Sequence, residues 1–212
     1  MLEARVPRIK ICGVTSLRDA KMVADAGADA LGLIFASSVR RVVGAVSGDI
    51  VRHLGERLWC VGVFRHQEDH EIVRIVDRDA LGAVQLHDSA SEALLDALAA
   101  RDVRVIRALS VKDAALSDRE RAQVVAVIVD GAVPGSGLAN DWAALSSLSF
   151  DVPLIAAGGL TPDNVAHVIA EVRPWGVDVA SGVEFAHGVK DPLKVTRFVS
   201  RAREALNVKG MQ

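Results

Sequence analysis

The residues of this chain best placed to do chemistry are polar ones that close apolar runs. Cys12 stands in Lys10-Ile11-Cys12-Gly13 at the end of the first run, and Asp130 in Val129-Asp130-Gly131 at the end of the sixth. Gln85 and His87 close Gln85-Leu86-His87, Arg40 follows the second run beside Arg41, and Asp178 lies inside the last run. Two late turns are glycine-rich, Gly158-Gly159 and Ser181-Gly182. Turns of this kind present backbone N–H groups beside helix N-termini, where unsatisfied amides and the helix dipole favour an anion. The chemistry they suit is phosphate binding. The competing reading is a tight turn with no ligand. No His/Cys/Asp/Glu spacing in the chain suggests a metal site.

The elements that must position these residues are legible from hydrophobic pattern. Apolar runs occur at 8–14, 30–36, 58–64, 83–87, 103–109, 124–130, 152–158 and 176–182. Each is a near-continuous Val/Ile/Leu stretch, as expected of strands buried on both faces. Between them, 16–26, 68–77, 91–100 and 162–171 carry apolar residues at helical spacing. Ser16 before Leu17, and Thr161 before Pro162, are helix-opening signals, and Gly27 is a stop. Strands and helices alternating at roughly 26 residues per unit imply an α/β fold, a single (β/α)8 TIM barrel spanning residues 1–212. A doubly wound sheet would place a Gly-x-Gly-x-x-Gly turn after its first strand, and Ile11-Cys12-Gly13-Val14-Thr15 is not one. In such barrels chemistry sits at the C-terminal ends of the strands, where the polar residues above fall.

Composition narrows the partners. Of 212 residues 50% are hydrophobic and 25% charged, which excludes a disordered or fibrous chain. Lys+Arg 25 against Asp+Glu 27 leaves a net charge of -2, so there is no basic excess to favour nucleic acid or an anionic membrane. No apolar run approaches the ~20 residues of a membrane span. The first ten residues lack the apolar core of a signal peptide. Cys12 and Cys60 sit in different apolar runs, poor material for a disulfide framework. A cytoplasmic protein is expected.

The ordered set of motifs resembles the phosphoribosylanthranilate isomerase family of tryptophan biosynthesis. It comprises Lys10–Thr15, Gly27–Phe35, Val61-Gly-Val-Phe64, Gln85-Leu-His87, Asp130, Gly135-Ser136-Gly137 with Asp141-Trp142, Ala157–Leu160 with Asn164-Val165, Gly176–Glu184 and Gly188–Asp191. The match spans nearly the whole chain. The resemblance implies an Amadori rearrangement of phosphoribosylanthranilate with no cofactor and no metal, Cys12 as general base and Asp130 as general acid. It gives Arg40 to the anthranilate carboxylate, Gln85 and His87 to the pocket wall, Asp178 to the ribose or the strand-eight turn, and Gly158, Gly159, Ser181 and Gly182 to the phosphate. Physical conditions attach: the thiol must be partly thiolate, and the acid must stay protonated near neutral pH. Strands one and six lie three apart around such a ring, so a sugar tethered at strands seven and eight would reach both groups.

Cys60, inside its run, reads as core. His53, His66, His70, His167 and His187 read as surface or loop residues. Four positions depart from the family pattern: Asp88 where glycine is usual, Ala180 for a serine, Arg65 for an apolar residue and Ser136 for a threonine. Two other readings remain open. One is a histidine-pathway or bifunctional sugar-phosphate isomerase, expected to carry an aspartate base where Cys12 stands. The other is a silent barrel that binds a phosphorylated ligand. The pattern does not choose between monomer and homodimer.

Overall fold

The computed structural model describes residues 6–111, 115–130 and 142–207. Eight parallel strands close a barrel in chain order: β1 (Ile9–Cys12), β2 (Ala30–Ile34), β3 (Trp59–Phe64), β4 (Ala83–Leu86), β5 (Arg104–Ser110), β6 (Val124–Asp130), β7 (Leu154–Ala157) and β8 (Gly176–Val179). β8 pairs with β1, with Lys10 opposite Asp178, and this pairing seals the ring. Helices follow the strands: α1 (Leu17–Asp25), α2 (Val46–Leu54), α3 (Asp69–Asp79), α4 (Glu92–Ala99), α5 (Asp118–Gln123), α6 (Trp142–Ser146), α7 (Val165–Val172) and α8 (Pro192–Asn207). After β8 comes a hairpin that the hydrophobic pattern did not mark, β9 (Glu184–Ala186) with β10 (Val189–Lys190).

Strand alternation sorts the side chains into two cores. Outward residues such as Ile9, Ile11, Leu31 and Leu33 join the layer between sheet and helices, while Ala30, Trp59, Val61, Ile106, Ile128 and Ile155 fill the barrel interior. Both faces of the strands are therefore buried and mostly apolar, which is why the runs read as nearly unbroken. On β1 the same alternation sends Lys10 and Cys12 to the face opposite Ile9 and Ile11.

The helix signals operate as the sequence suggests. Ser16 Oγ accepts from the Asp19 amide at 3.1 Å, and Ser91 Oγ from the Leu94 amide at 3.0 Å. Thr161 and Asn164 cap each other: Thr161 Oγ1 accepts from the Asn164 amide, and Asn164 Oδ1 from the Thr161 amide at 2.8 Å. Regular α7 nevertheless begins at Val165, three residues beyond the expected start at 162, because the capped turn precedes it. Among the described residues no helix is long and apolar enough to cross a membrane.

Candidate active site

A cavity of about 800 Å³ opens at the C-terminal ends of the strands. Cys12, Gln85, His87, Asp130, Gly158, Gly159, Asp178 and Ser181 all line it, so eight of the ten candidate residues share one space. Cys12 comes from the end of β1 and Asp130 from the end of β6, with β7 and β8 between them. Gly131, the Gly135-Ser136-Gly137 segment and Asp141 lie outside the described residues.

Behind the cavity wall, beside Asp178, is a buried lysine that the sequence motif contains but to which no role was given. Lys10 is 0% exposed, and its Nζ donates to Asp178 Oδ1 at 3.0 Å. Burial opposes its charge, yet Asp178 and then Cys12 outweigh that penalty, and its pKa lies above the ordinary lysine value. Cys12 is 8% exposed. Burial pushes its thiol up; Lys10 opposes that shift, Asp178 reinforces it and Lys190 opposes it, with a net rise. The missing signal was a lysine two residues before the cysteine in a fully buried strand, since a buried ammonium needs a partner. Gly32, opposite Cys12 on β2, makes room for both groups. A Cβ there would sit 2.7 Å from Cys12 Sγ and 3.2 Å from Lys10 Nζ. Asp178 lines the cavity, and its side-chain partner is Lys10.

Arg40 is placed differently from the expectation. It does not line the cavity: its stem lies against Gly13, and its Nε and Nη2 grip Glu184 Oε1 and Oε2 at 2.7 and 2.8 Å. Glu184 also accepts from Lys190 Nζ at 2.9 Å, and that ammonium donates to the Ala180 carbonyl at 3.0 Å. Burial alone would raise the Glu184 carboxyl, but Arg40 and Lys190 hold it below the ordinary range. The clasp ties the segment after β2 to the β9–β10 hairpin. Arg41 is exposed, so the inward member of the arginine pair is Arg40.

On the β4 side, Gln85 Nε2 donates to His87 Nε2 at 3.1 Å, and Gln85 Oε1 is buried without a partner among the described residues. Loss of hydration, with Lys10 and Arg65 adding to it, pushes His87 down to about 4. The ring is therefore neutral at pH 7, although the residue is exposed at the cavity. Arg107 Nη1 donates to the carbonyls of Leu86 and Asp88 at 2.7 and 2.6 Å, and its Nε contacts Glu120 at 2.6 Å. It pins the end of β4 to α5. Asp88 is directed to the loop after β3: its Oδ2 accepts from the His66 amide at 2.5 Å, and Oδ1 lies 3.2 Å from His66 Nδ1. Arg65 also lines the cavity. Cys60 is buried in the outer core, with its thiol pushed up to about 12 by burial. The five remaining histidines are exposed.

The two glycine turns meet each other. Gly158 and Gly159 have φ of 91° and 60°, which turns the chain sharply after β7, and Asn164 Nδ2 ties the Gly159 carbonyl at 3.0 Å. Gly182 lies against the Leu160 carbonyl so closely that a Cβ would stand 1.8 Å from its oxygen. Gly182 is not part of the cavity wall; it lets the turn after β8 nest against the turn after β7, while Ser181 faces the cavity. Among the described residues no group of three or more His, Cys, Asp or Glu is placed to hold a metal.

Comparison with known proteins agrees with this architecture. The family model for N-(5'-phosphoribosyl)anthranilate (PRA) isomerase matches residues 9–201. The chain is 42% identical over 206 residues to the N-(5'-phosphoribosyl)anthranilate isomerase of Geotalea daltonii, covering 94% of this chain and 98% of that one. It superimposes on the phosphoribosyl anthranilate isomerase of Thermus thermophilus with a TM-score of 0.79, 35% identity and coverage of 93% and 98%. A phosphoribosyl anthranilate isomerase in complex with reduced 1-(o-carboxyphenylamino)-1-deoxyribulose 5-phosphate matches with a TM-score of 0.74, 31% identity and coverage of 94% and 100%.

Proposed function

The chain belongs to the N-(5'-phosphoribosyl)anthranilate isomerase family of tryptophan biosynthesis, and on that premise we propose that Cys12 and Asp130 carry its proton transfers as general base and general acid. The reaction is an Amadori rearrangement of N-(5-phosphoribosyl)anthranilate to 1-(2-carboxyphenylamino)-1-deoxyribulose 5-phosphate. Asp130 gives a proton to the furanose ring oxygen; the C1–O bond breaks, and the nitrogen lone pair forms a C1=N iminium. Thiolate Cys12 then removes the C2 proton, the C–H pair forms C1=C2, and the iminium pair returns to nitrogen. Tautomerisation of the enaminol, with a proton delivered to C1, gives the ketone. The substrate's own nitrogen is the electron sink.

The observation that carries this reading is the shared cavity: a thiol and a carboxyl open onto one space from strands β1 and β6, and the wall between them is built from β7 and β8. A phosphate held by the amides of Gly158, Gly159 and Ser181 would leave the sugar spanning the two groups. At rest burial favours the thiol, but the ring-opened iminium brings a positive charge beside Cys12 at the step that needs a thiolate. The substrate's phosphate and carboxylate favour a protonated acid at Asp130 before opening. Neutral His87 and the unpartnered Gln85 Oε1 are suited to sugar hydroxyls. Glu184 occupies the Nε–Nη2 edge of Arg40, and since Arg40 lies outside the cavity wall, an anthranilate carboxylate would meet its Nη1 only by reaching past that wall.

Turnover of phosphoribosylanthranilate, followed by loss of substrate fluorescence, tests the assignment. Cys12→Ser and Asp130→Asn should each lower kcat by about 10³-fold, within the span of one general acid or base, without shifting the melting temperature. Full activity in either variant removes that residue from the mechanism.

A further inference from the structure

The role given to Cys12 above leaves a buried ion pair beside it without a task. Asp178 lines the cavity and Lys10 is buried beside it, one on each of the strands that seal the barrel, and their side chains meet at 3.0 Å. Cys12 Sγ and Lys10 Nζ lie 2.7 and 3.2 Å from the point where a Cβ on Gly32 would stand, which puts the two atoms at most about 6 Å apart, a range at which interior charges couple strongly. A fully buried lysine is expensive to keep, and two apolar residues could seal the same strand pair more simply. We propose that Lys10 and Asp178 are positioning residues that set the protonation of the Cys12 thiol with opposite signs: Lys10 is the counter-ion of the thiolate, and Asp178 restrains it. The inference rests on the base role of Cys12, but its test does not depend on turnover.

Charge counting gives the logic. With Cys12 as a thiol, the cluster of Lys10 ammonium and Asp178 carboxylate is neutral; ionising the thiol makes it a buried net anion. Other charged groups are Lys190 of β10 and Arg40 after β2 and, lining the same cavity, Asp130 at the end of β6, Arg65 after β3 and Arg107 of β5, the last held by Glu120 and the Leu86 and Asp88 carbonyls. Lys190 and Arg40 are already committed to Glu184. His87 is neutral. Lys10, which stands against the same point of β2 as the thiol, is therefore the cation placed to answer the thiolate, and Asp178 is the group that divides its attention. Removing the carboxylate makes Lys10 and thiolate the neutral combination, and removing the ammonium leaves the thiolate with no adjacent counter-ion.

The experiment follows the rate of Cys12 alkylation by iodoacetamide against pH in the ligand-free protein, read on the Cys12 peptide by mass spectrometry. Below the midpoint this rate tracks the thiolate fraction. Lys10→Met should raise the midpoint by about two pH units and slow alkylation about 100-fold, for charges roughly 5 Å apart at an effective dielectric of about 20. Asp178→Asn should lower the midpoint and speed alkylation about tenfold. The double variant Lys10→Met with Asp178→Asn keeps shape without charge, and should alkylate more slowly than the parent; it carries the test if a single variant does not fold. A merely structural pair would move both single variants the same way, and that result, or no movement, overturns the proposal. An active Cys12→Ser enzyme would instead sink the base assignment while leaving the titration order intact, so the two failures are distinguishable.

Discussion

Gly32→Ala is the change whose consequence can be worked most fully from the coordinates. The new methyl would stand 2.7 Å from Cys12 Sγ, 3.1 Å from Cys12 Cα and 3.2 Å from Lys10 Nζ. Carbon and sulfur need roughly 3.5 to 4 Å, so the thiol must retreat by about 1 Å. The backbone atom cannot yield, because β1 is bonded to β2 on one side and β8 on the other. Overpacking of this kind costs about 1–3 kcal/mol, which lowers the melting temperature by roughly 2–10 °C in a chain of this size. The larger effect falls on catalysis: a base displaced by about 1 Å loses about 10²-fold in rate. The expected outcome is a kcat about 100-fold down, a KM within about threefold of the parent and a folded protein. Gly82→Ala is the control, since a Cβ there meets nothing within 4 Å. Parental kcat in a folded Gly32→Ala enzyme would refute the placement of the thiol against this strand.

Two further outcomes follow from the same geometry. Arg40→Lys loses the two-pronged grip on Glu184 and the planar fork; KM should rise about tenfold or more with a smaller change in kcat, and a KM unchanged in steady-state kinetics would remove Arg40 from substrate binding. His87 has a folded pKa depressed to about 4 from 6.5, so stability linked to it is fully present above pH ~6.5 and lost as pH falls toward 4. Its ring resonances should remain those of neutral imidazole at pH 6, and a titration midpoint near 6.5 by NMR would contradict the loss of hydration, and the added push of Lys10 and Arg65, at this ring.

The barrel was legible because both faces of every strand are buried, so eight apolar runs survive in the sequence as uninterrupted blocks. Cys12, Asp130 and the two glycine turns were legible because a polar or small residue at the end of such a run has few structural reasons to be there. Lys10 was not, although its position in β1 was: its significance depends on Asp178, which is adjacent only once β8 closes on β1. The same holds for Arg107, whose partners Glu120, Leu86 and Asp88 come from three separate segments. Arg40 shows the converse. Its type and place suggested a carboxylate partner, and the fold supplies one from within, Glu184, through a hairpin too short to leave a hydrophobic signature. Gly182 read as a phosphate turn; the structure places it outside the cavity wall as a packing contact, visible only through its approach to the Leu160 carbonyl.

The central claim is that one sugar lies between the Cys12 thiol and the Asp130 carboxyl while its phosphate rests on the turns after β7 and β8. A crystal structure of this protein with the reduced product analogue tests it most directly. The account expects the Cys12 sulfur about 3–4 Å from C2, the Asp130 carboxyl within hydrogen-bond reach of the oxygen that leaves C1, and the phosphate on the amides near Gly159 and Ser181. An analogue bound with either side chain out of reach of those atoms, or with its phosphate elsewhere, would contradict it.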